Sequence, residues 1–151
     1  MIGCEVAGAM KNVLAIASGC AHGFGFGNNT RALLGCRGLA EINRLSAALG
    51  SSCKSLSGLA GVGDLMLTCS SEMSRNFTVG KRLAAGETID EIVTSTHAVA
   101  EGVATAKALH HLALKHDVDT PICTEVYKVL YEGKDVKQAI FDLTNRPLSA
   151  E

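Results

Sequence analysis

The stretch AGAMKNVLAIASGC, residues 7–20, decides the fold. Met10, Val13, Leu14 and Ala17 fall at helical spacing and share one face of an α-helix. Lys11 and Asn12 lie off that stripe. Gly23, Gly25 and Gly27 break the pattern, and Asn28 and Asn29 are placed to cap a second helix with their side chains. That helix runs through Leu33, Cys36, Leu39, Ile42 and Leu45 and stops at Gly50.

Helical signals continue to the other end. Asp64 to Cys69 reads as a short helix entered through glycines, and Arg75 to Ala85 as another that ends at Gly86. Thr88-Ile89-Asp90-Glu91 is a capping box, so a helix starts there. Glu101 to His116 carries Val103, Ala106, Leu109, Leu112 and Ala113 at helical spacing. Pro121 suits the first turn of the next helix, and Asp135 caps a last one that halts before Pro147. These helical segments, with no strand, no repeat and no linker, give one all-α domain over residues 1–151.

Composition removes several function classes. The net charge is −1, so no basic surplus addresses nucleic acid. Trp is absent and aromatics are scarce, which excludes base-stacking platforms. The N-terminus has an apolar patch but no basic region before it, and Glu5 and Lys11 interrupt it. It therefore reads as neither a signal peptide nor a membrane span. The six cysteines form no CxxC pair, so they read as buried free thiols in a reducing compartment, not as a zinc site. A soluble intracellular setting is the expectation.

Two motifs attract a functional reading and do not sustain it. HGFGFGNN, residues 22–29, contains GxGxG, but a pyrophosphate-binding fingerprint needs a strand before it and an acidic residue after a second strand. A helix precedes it here, so it reads as a turn. His97, His110, His111 and His116 include no HExxH and read as packed or surface histidines, with no metal expected.

GLAGVGDLMLTCSSEMSRN, residues 58–76, is different. Gly58, Gly61 and Gly63 permit close backbone approach and unusual dihedrals. Asp64 and Thr68 share a face if the segment is helical. Ser74, Arg75 and Asn76 offer a hydroxyl, a planar guanidinium and an amide at a helix N-terminus, the groups that hold a phosphate. A polar cap beside a solvated Arg is the competing reading. Lys11 upstream can exchange a proton with a substrate, a carboxylate such as Asp64 can hold it, and Asn12 can orient a hydroxyl.

Taken in order, GAMKNV at 8–13, GLAGVGDL with Thr68-Cys69, Ser74-Arg75-Asn76 and VAEGV at 99–103 resemble the C-terminal domain of NAD(P)-dependent glycerol-3-phosphate dehydrogenase, bacterial and plastid type. The resemblance spans Gly3 to about Pro147. It implies an all-helical substrate domain of the 6-phosphogluconate dehydrogenase C-terminal kind. It also implies interconversion of sn-glycerol 3-phosphate and dihydroxyacetone phosphate, feeding glycerophospholipid synthesis. By position, Lys11 matches the proton acceptor and donor. Asp64, Ser74, Arg75 and Asn76 match substrate-binding residues, with Asn12 and Thr68 supporting them. Arg75, Val99 and Glu101 match contacts to NAD or NADP. Family members carry a dinucleotide-binding domain ahead of this one, and the chain begins where that domain should end. The implied partners are the phosphorylated substrate, such a domain in cis or trans, and a second copy in a homodimer. Isolated, the chain is expected to be inactive. The alternative is a non-catalytic helical module for phosphate binding or oligomerisation.

Overall fold

A computed structural model describes residues 2–51, 59–96 and 100–147. Eight helices and no strand occur among them: α1 Ile2–Gly23, α2 Asn28–Ala48, α3 Leu59–Ser70, α4 Arg75–Ala84, α5 Ile89–Ser95, α6 Glu101–Lys115, α7 Pro121–Tyr131 and α8 Val136–Asn145. The protein is all-α.

α1 is the central post, packed by α2, α3, α4, α6 and α7. Its apolar stripe begins with Val6 and Met10, and from Val13 to Ala21 every residue is buried. A helix covered on all sides has no solvated face to maintain, which is why the apolar and small residues of VLAIASGCA, 13–21, suit it. Gly19 and Gly80 let α1 and α4 cross almost backbone to backbone. A Cβ on Gly19 would lie 2.0 Å from the Phe77 carbonyl oxygen, and one on Gly80 would lie 1.9 Å from that of Ile16. Leu14, Ile42, Leu45, Val79, Leu83, Ala106, Ile122 and Cys123 fill the core around the post. Burying each large side chain contributes roughly 1.5–3 kcal/mol before chain entropy is counted.

Local chemistry explains most boundaries. The Thr88–Glu91 capping box is present, with the Thr88 N–H donating to Glu91 Oε2 at 2.8 Å. Asp135 caps α8 through the Gln138 N–H at 3.1 Å, and Pro121 opens α7. Gly50 and Gly86 follow α2 and α4 at φ +79° and +96°, the left-handed conformation that closes a helix.

Three expectations are corrected. Gly27, not an asparagine side chain, stands at the N-cap of α2, because Asn28 already lies inside the helix and accepts from the Arg31 guanidinium. α3 is longer than its sequence signal, so Gly61 and Gly63 are ordinary helical residues, not loop residues with special dihedrals. Burial of Leu65 and Cys69 offsets the helix-interior glycine cost of roughly 1 kcal/mol each. Finally, Cys20, Cys69 and Cys123 are buried, but Cys4 and Cys36 are exposed. Cys53, Gly58, His97 and Val99 lie outside the described residues.

Candidate active site

The site sits where the N-terminal half of α1 meets α3 and the first turns of α4 and α6. Lys11 and Asn12 point away from the covered face of α1 and stay half-buried. Lys11 Nζ donates to Asp64 Oδ2 of α3 at 2.8 Å. The side chains are 32% and 55% exposed, so this pair contributes at most about 1 kcal/mol to stability and serves to aim the amine. Thr68 follows one turn along α3, half-buried.

α4 begins at the same place. The Ser74 hydroxyl caps it by accepting from the Phe77 N–H at 3.4 Å, and the first intrahelical bond runs from the Thr78 N–H to the Ser74 carbonyl at 3.0 Å. The Arg75 and Asn76 N–H groups precede that bond and are free donors at the positive end of the helix dipole. The Arg75 side chain is exposed and has no hydrogen bond or ion pair among the described residues. Asn76 is buried, and its Oδ1 accepts from the Gly102 N–H of α6 at 2.9 Å.

α6 closes the arrangement. No side chain of its own caps it, and Asn76 takes that part from another helix. Glu101, exposed in the first turn, accepts from Asn12 Nδ2 at 3.4 Å. Lys11, Asn12, Asp64, Asn76 and Glu101 are thus linked by hydrogen bonds or by shared neighbours, and Ser74 and Arg75 adjoin them. Among the described residues, Thr68 and Ser74 make no side-chain hydrogen bond to the other expected residues, and Ser74 spends an oxygen lone pair on its own helix. Such a cleft presents an ammonium, a guanidinium, two amides and free backbone donors. It can hold a phosphate and pass a proton to a neighbouring oxygen.

Two participants escape a sequence reading. Gly102 is one; a glycine in a first helical turn with no positive φ signals a close approach. Glu41 is the other, away from the cleft. It lies in register with Gly38, Ile42 and Leu45, fully buried, and accepts from the Ile122 and Cys123 N–H groups at 2.7 and 3.3 Å. Burial pushes its carboxyl up to about 7, the two amides and Arg44 pull it down, and Asp119 adds to the rise. Among the described residues no group of three or more His, Cys, Asp or Glu could hold a metal. His110 instead stacks on Tyr127 with ring centroids 4.0 Å apart. Nor is any described helix long and apolar enough to cross a membrane.

Comparison with known proteins places the chain in a family. Residues 1–141 match the family described as NAD-dependent glycerol-3-phosphate dehydrogenase C-terminus. The chain is 55% identical over its whole length to a glycosomal glycerol-3-phosphate dehydrogenase [NAD(+)] of Trypanosoma brucei brucei, covering 43% of it. It is 50% identical over 99% of its length to a glycerol-3-phosphate dehydrogenase [NAD(P)+] of Desulfotalea psychrophila, covering 44% of that protein. The crystal structure of glycerol-3-phosphate dehydrogenase from Coxiella burnetii superposes with a TM-score of 0.92 at 40% identity, over 97% of this chain and 45% of that one. The chain spans less than half the length of these relatives. With all-helical architecture and a full-length match in hand, the chain belongs to the glycerol-3-phosphate dehydrogenase C-terminal domain family.

Proposed function

We propose that this chain is the substrate-binding and catalytic part of an oxidoreductase interconverting sn-glycerol 3-phosphate and dihydroxyacetone phosphate with NAD or NADP. The observation that carries the reading is the Lys11–Asp64 pair at 2.8 Å, beside Asn12, whose backbone carbonyl meets Gly102 together with Asn76 Oδ1. Arg75, with the free N–H groups of the α4 N-terminus, holds the phosphate in two-pronged fashion. Lys11 manages the proton at the C2 oxygen. An ammonium has a proton to give as the ketone is reduced, and the amine left behind takes one in the reverse direction. Asp64 keeps Nζ aimed, and Asn12 orients a hydroxyl.

The dinucleotide, when bound, supplies the hydride acceptor or donor. On this chain the groups that fit it are the partnerless Arg75 guanidinium, suited to its anionic part, and Glu101. Glu101 commits Oε2 to Asn12 and leaves Oε1 for a ribose hydroxyl. Val99 is assigned to the same contact from its place in the motif. The remaining walls come from a dinucleotide-binding domain in cis or trans. The working compartment is an aqueous one, the cytoplasm or an organelle lumen, and the glycerol 3-phosphate formed there serves lipid synthesis.

The test is completion of the site. The purified 151 residues are expected to show little or no NAD-dependent oxidation of glycerol 3-phosphate. Adding a dinucleotide-binding domain from a relative, fused or in trans, restores it. Steady turnover by the chain alone sinks the two-part reading, and silence after completion favours a non-catalytic phosphate-binding module.

A further inference from the structure

We propose that the first turn of α6 sets the hydrogen-bond polarity of both asparagines, so that the cleft reads a hydroxyl at Asn12 and an anion at Asn76. The inference rests on the substrate reading above and goes beyond it, by assigning Glu101 and Gly102 as positioning residues that select the ligand's chemistry.

An Asn side chain is nearly symmetric in shape and opposite in chemistry at its two ends. Which end faces a ligand depends on what holds the other end. The Gly102 backbone N–H can only donate, so Asn76 must turn Oδ1 toward it, as the 2.9 Å bond shows. The two Nδ2 protons are then left for the ligand, and they suit a phosphate oxygen. A flipped Asn76 would face the phosphate with a carbonyl and strand a buried N–H, at a cost of roughly tenfold to a hundredfold in affinity. Glu101 acts on Asn12 in the opposite sense. Its carboxylate oxygen accepts, so Asn12 turns Nδ2 toward it, at 3.4 Å. Asn12 Oδ1 is left to accept from a substrate hydroxyl.

The absence of a side chain at Gly102 keeps this arrangement in place. A Cβ there would come within 2.7 Å of Asn76 Oδ1, 2.8 Å of the Asn12 carbonyl oxygen and 2.9 Å of Ile16 Cδ1. Those atoms belong to α4 and α1, so the glycine brings both asparagines against one turn of backbone. Two neighbouring residues of α6 thus orient one amide as donor and the other as acceptor. A ligand carrying a hydroxyl beside a phosphate matches both.

Calorimetric titration with glycerol 3-phosphate, without dinucleotide, tests this on the wild type and four variants: Asn76→Asp, Glu101→Gln, Gly102→Ala and the Gly102→Ala, Asn76→Asp double. Asn76→Asp still accepts from the Gly102 N–H but has no proton for the phosphate. Its melting temperature is expected to stay within a few degrees of wild type while affinity falls by roughly tenfold or more. Glu101→Gln can donate or accept, so Asn12 is no longer held, and affinity falls about three- to tenfold at unchanged stability. Gly102→Ala combined with Asn76→Asp is expected to lose less than the product of the two single losses, since both act through one amide. Should Gly102→Ala fail to fold, the first two variants decide. Wild-type binding that Asn76→Asp and Glu101→Gln leave unchanged, or losses that merely track melting temperature, overturns the polarity proposal alone. No binding by the wild type at millimolar ligand overturns the substrate reading, and this proposal with it.

Discussion

Lys11 and Asp64 stand 53 positions apart in the chain and meet at 2.8 Å between α1 and α3. Both side chains are partly solvated, so the pair organises the cleft more than it stabilises the fold. Asp64→Asn is therefore expected to leave the unfolding free energy within about 1 kcal/mol of wild type. In the completed enzyme it should lower turnover, because Nζ is no longer aimed. Lys11→Met removes the proton donor itself and is expected to cost roughly 10²–10⁴-fold in kcat. Steady-state kinetics beside urea unfolding separates the two effects.

Arg75 is the phosphate cation of the proposed site. Dihydroxyacetone phosphate at millimolar concentration should raise the melting temperature of the wild-type chain, since a ligand bound only by the folded state adds RT ln(1 + [L]/Kd). Arg75→Ala is expected to abolish the shift, and Arg75→Lys to restore it only in part, because an ammonium lacks the planar two-pronged geometry. A full shift in Arg75→Ala would place the phosphate elsewhere.

The α1–α4 crossing makes opposite predictions for two helical glycines. Gly80→Ala puts a methyl 1.9 Å from the Ile16 carbonyl oxygen, so the helices must part. A loss of about 3 kcal/mol is expected, at the upper end of ordinary overpacking. Gly8→Ala meets nothing within 4 Å and should stabilise α1 by roughly 0.5–1 kcal/mol. Chemical denaturation of both variants checks the contrast.

Glu41 gives the fold a pH dependence of unusual sign. Its folded pKa, about 7, lies above the ordinary carboxylate value of 4.5, so the folded chain holds the proton more tightly than the unfolded one. That contribution is fully present below about pH 4.5 and is lost as pH rises through about 7. The whole window is worth about 3 kcal/mol. Glu41→Gln cannot titrate, so its stability should fall less than that of wild type between pH 5 and pH 7.5. Equal slopes for the two proteins would show that the buried carboxyl does not govern this range.

Much of the molecule is legible in the residues themselves. The Met10–Val13–Leu14–Ala17 stripe, the Thr88–Glu91 box, Pro121 and Asp135 act over one to four residues, and each marks the element it should. Reading from the sequence fails at two helix starts, one for a local reason and one because of packing. Asn28 loses the cap to Gly27, and α3 runs through Gly61 and Gly63 because its apolar face has a core to meet. The polar residues of the site are visible as types, but composition alone favours a solvated Arg75 over a phosphate-holding one.

By itself, the sequence determined most of the helices, the caps at Thr88 and Asp135, and the Lys, Asn, Asp and Arg residues that four spaced motifs bring to notice. Those are matters of local backbone geometry and short-range hydrogen bonding. Only the tertiary structure decided that Lys11 faces Asp64, that Asn76 caps a helix other than its own, and that Glu41 is buried against α7. The physical reason is distance along the chain. Hydrogen bonds between residues 26 to 81 positions apart exist only once the α1 post is surrounded and Gly19, Gly80 and Gly102 have let the backbones close.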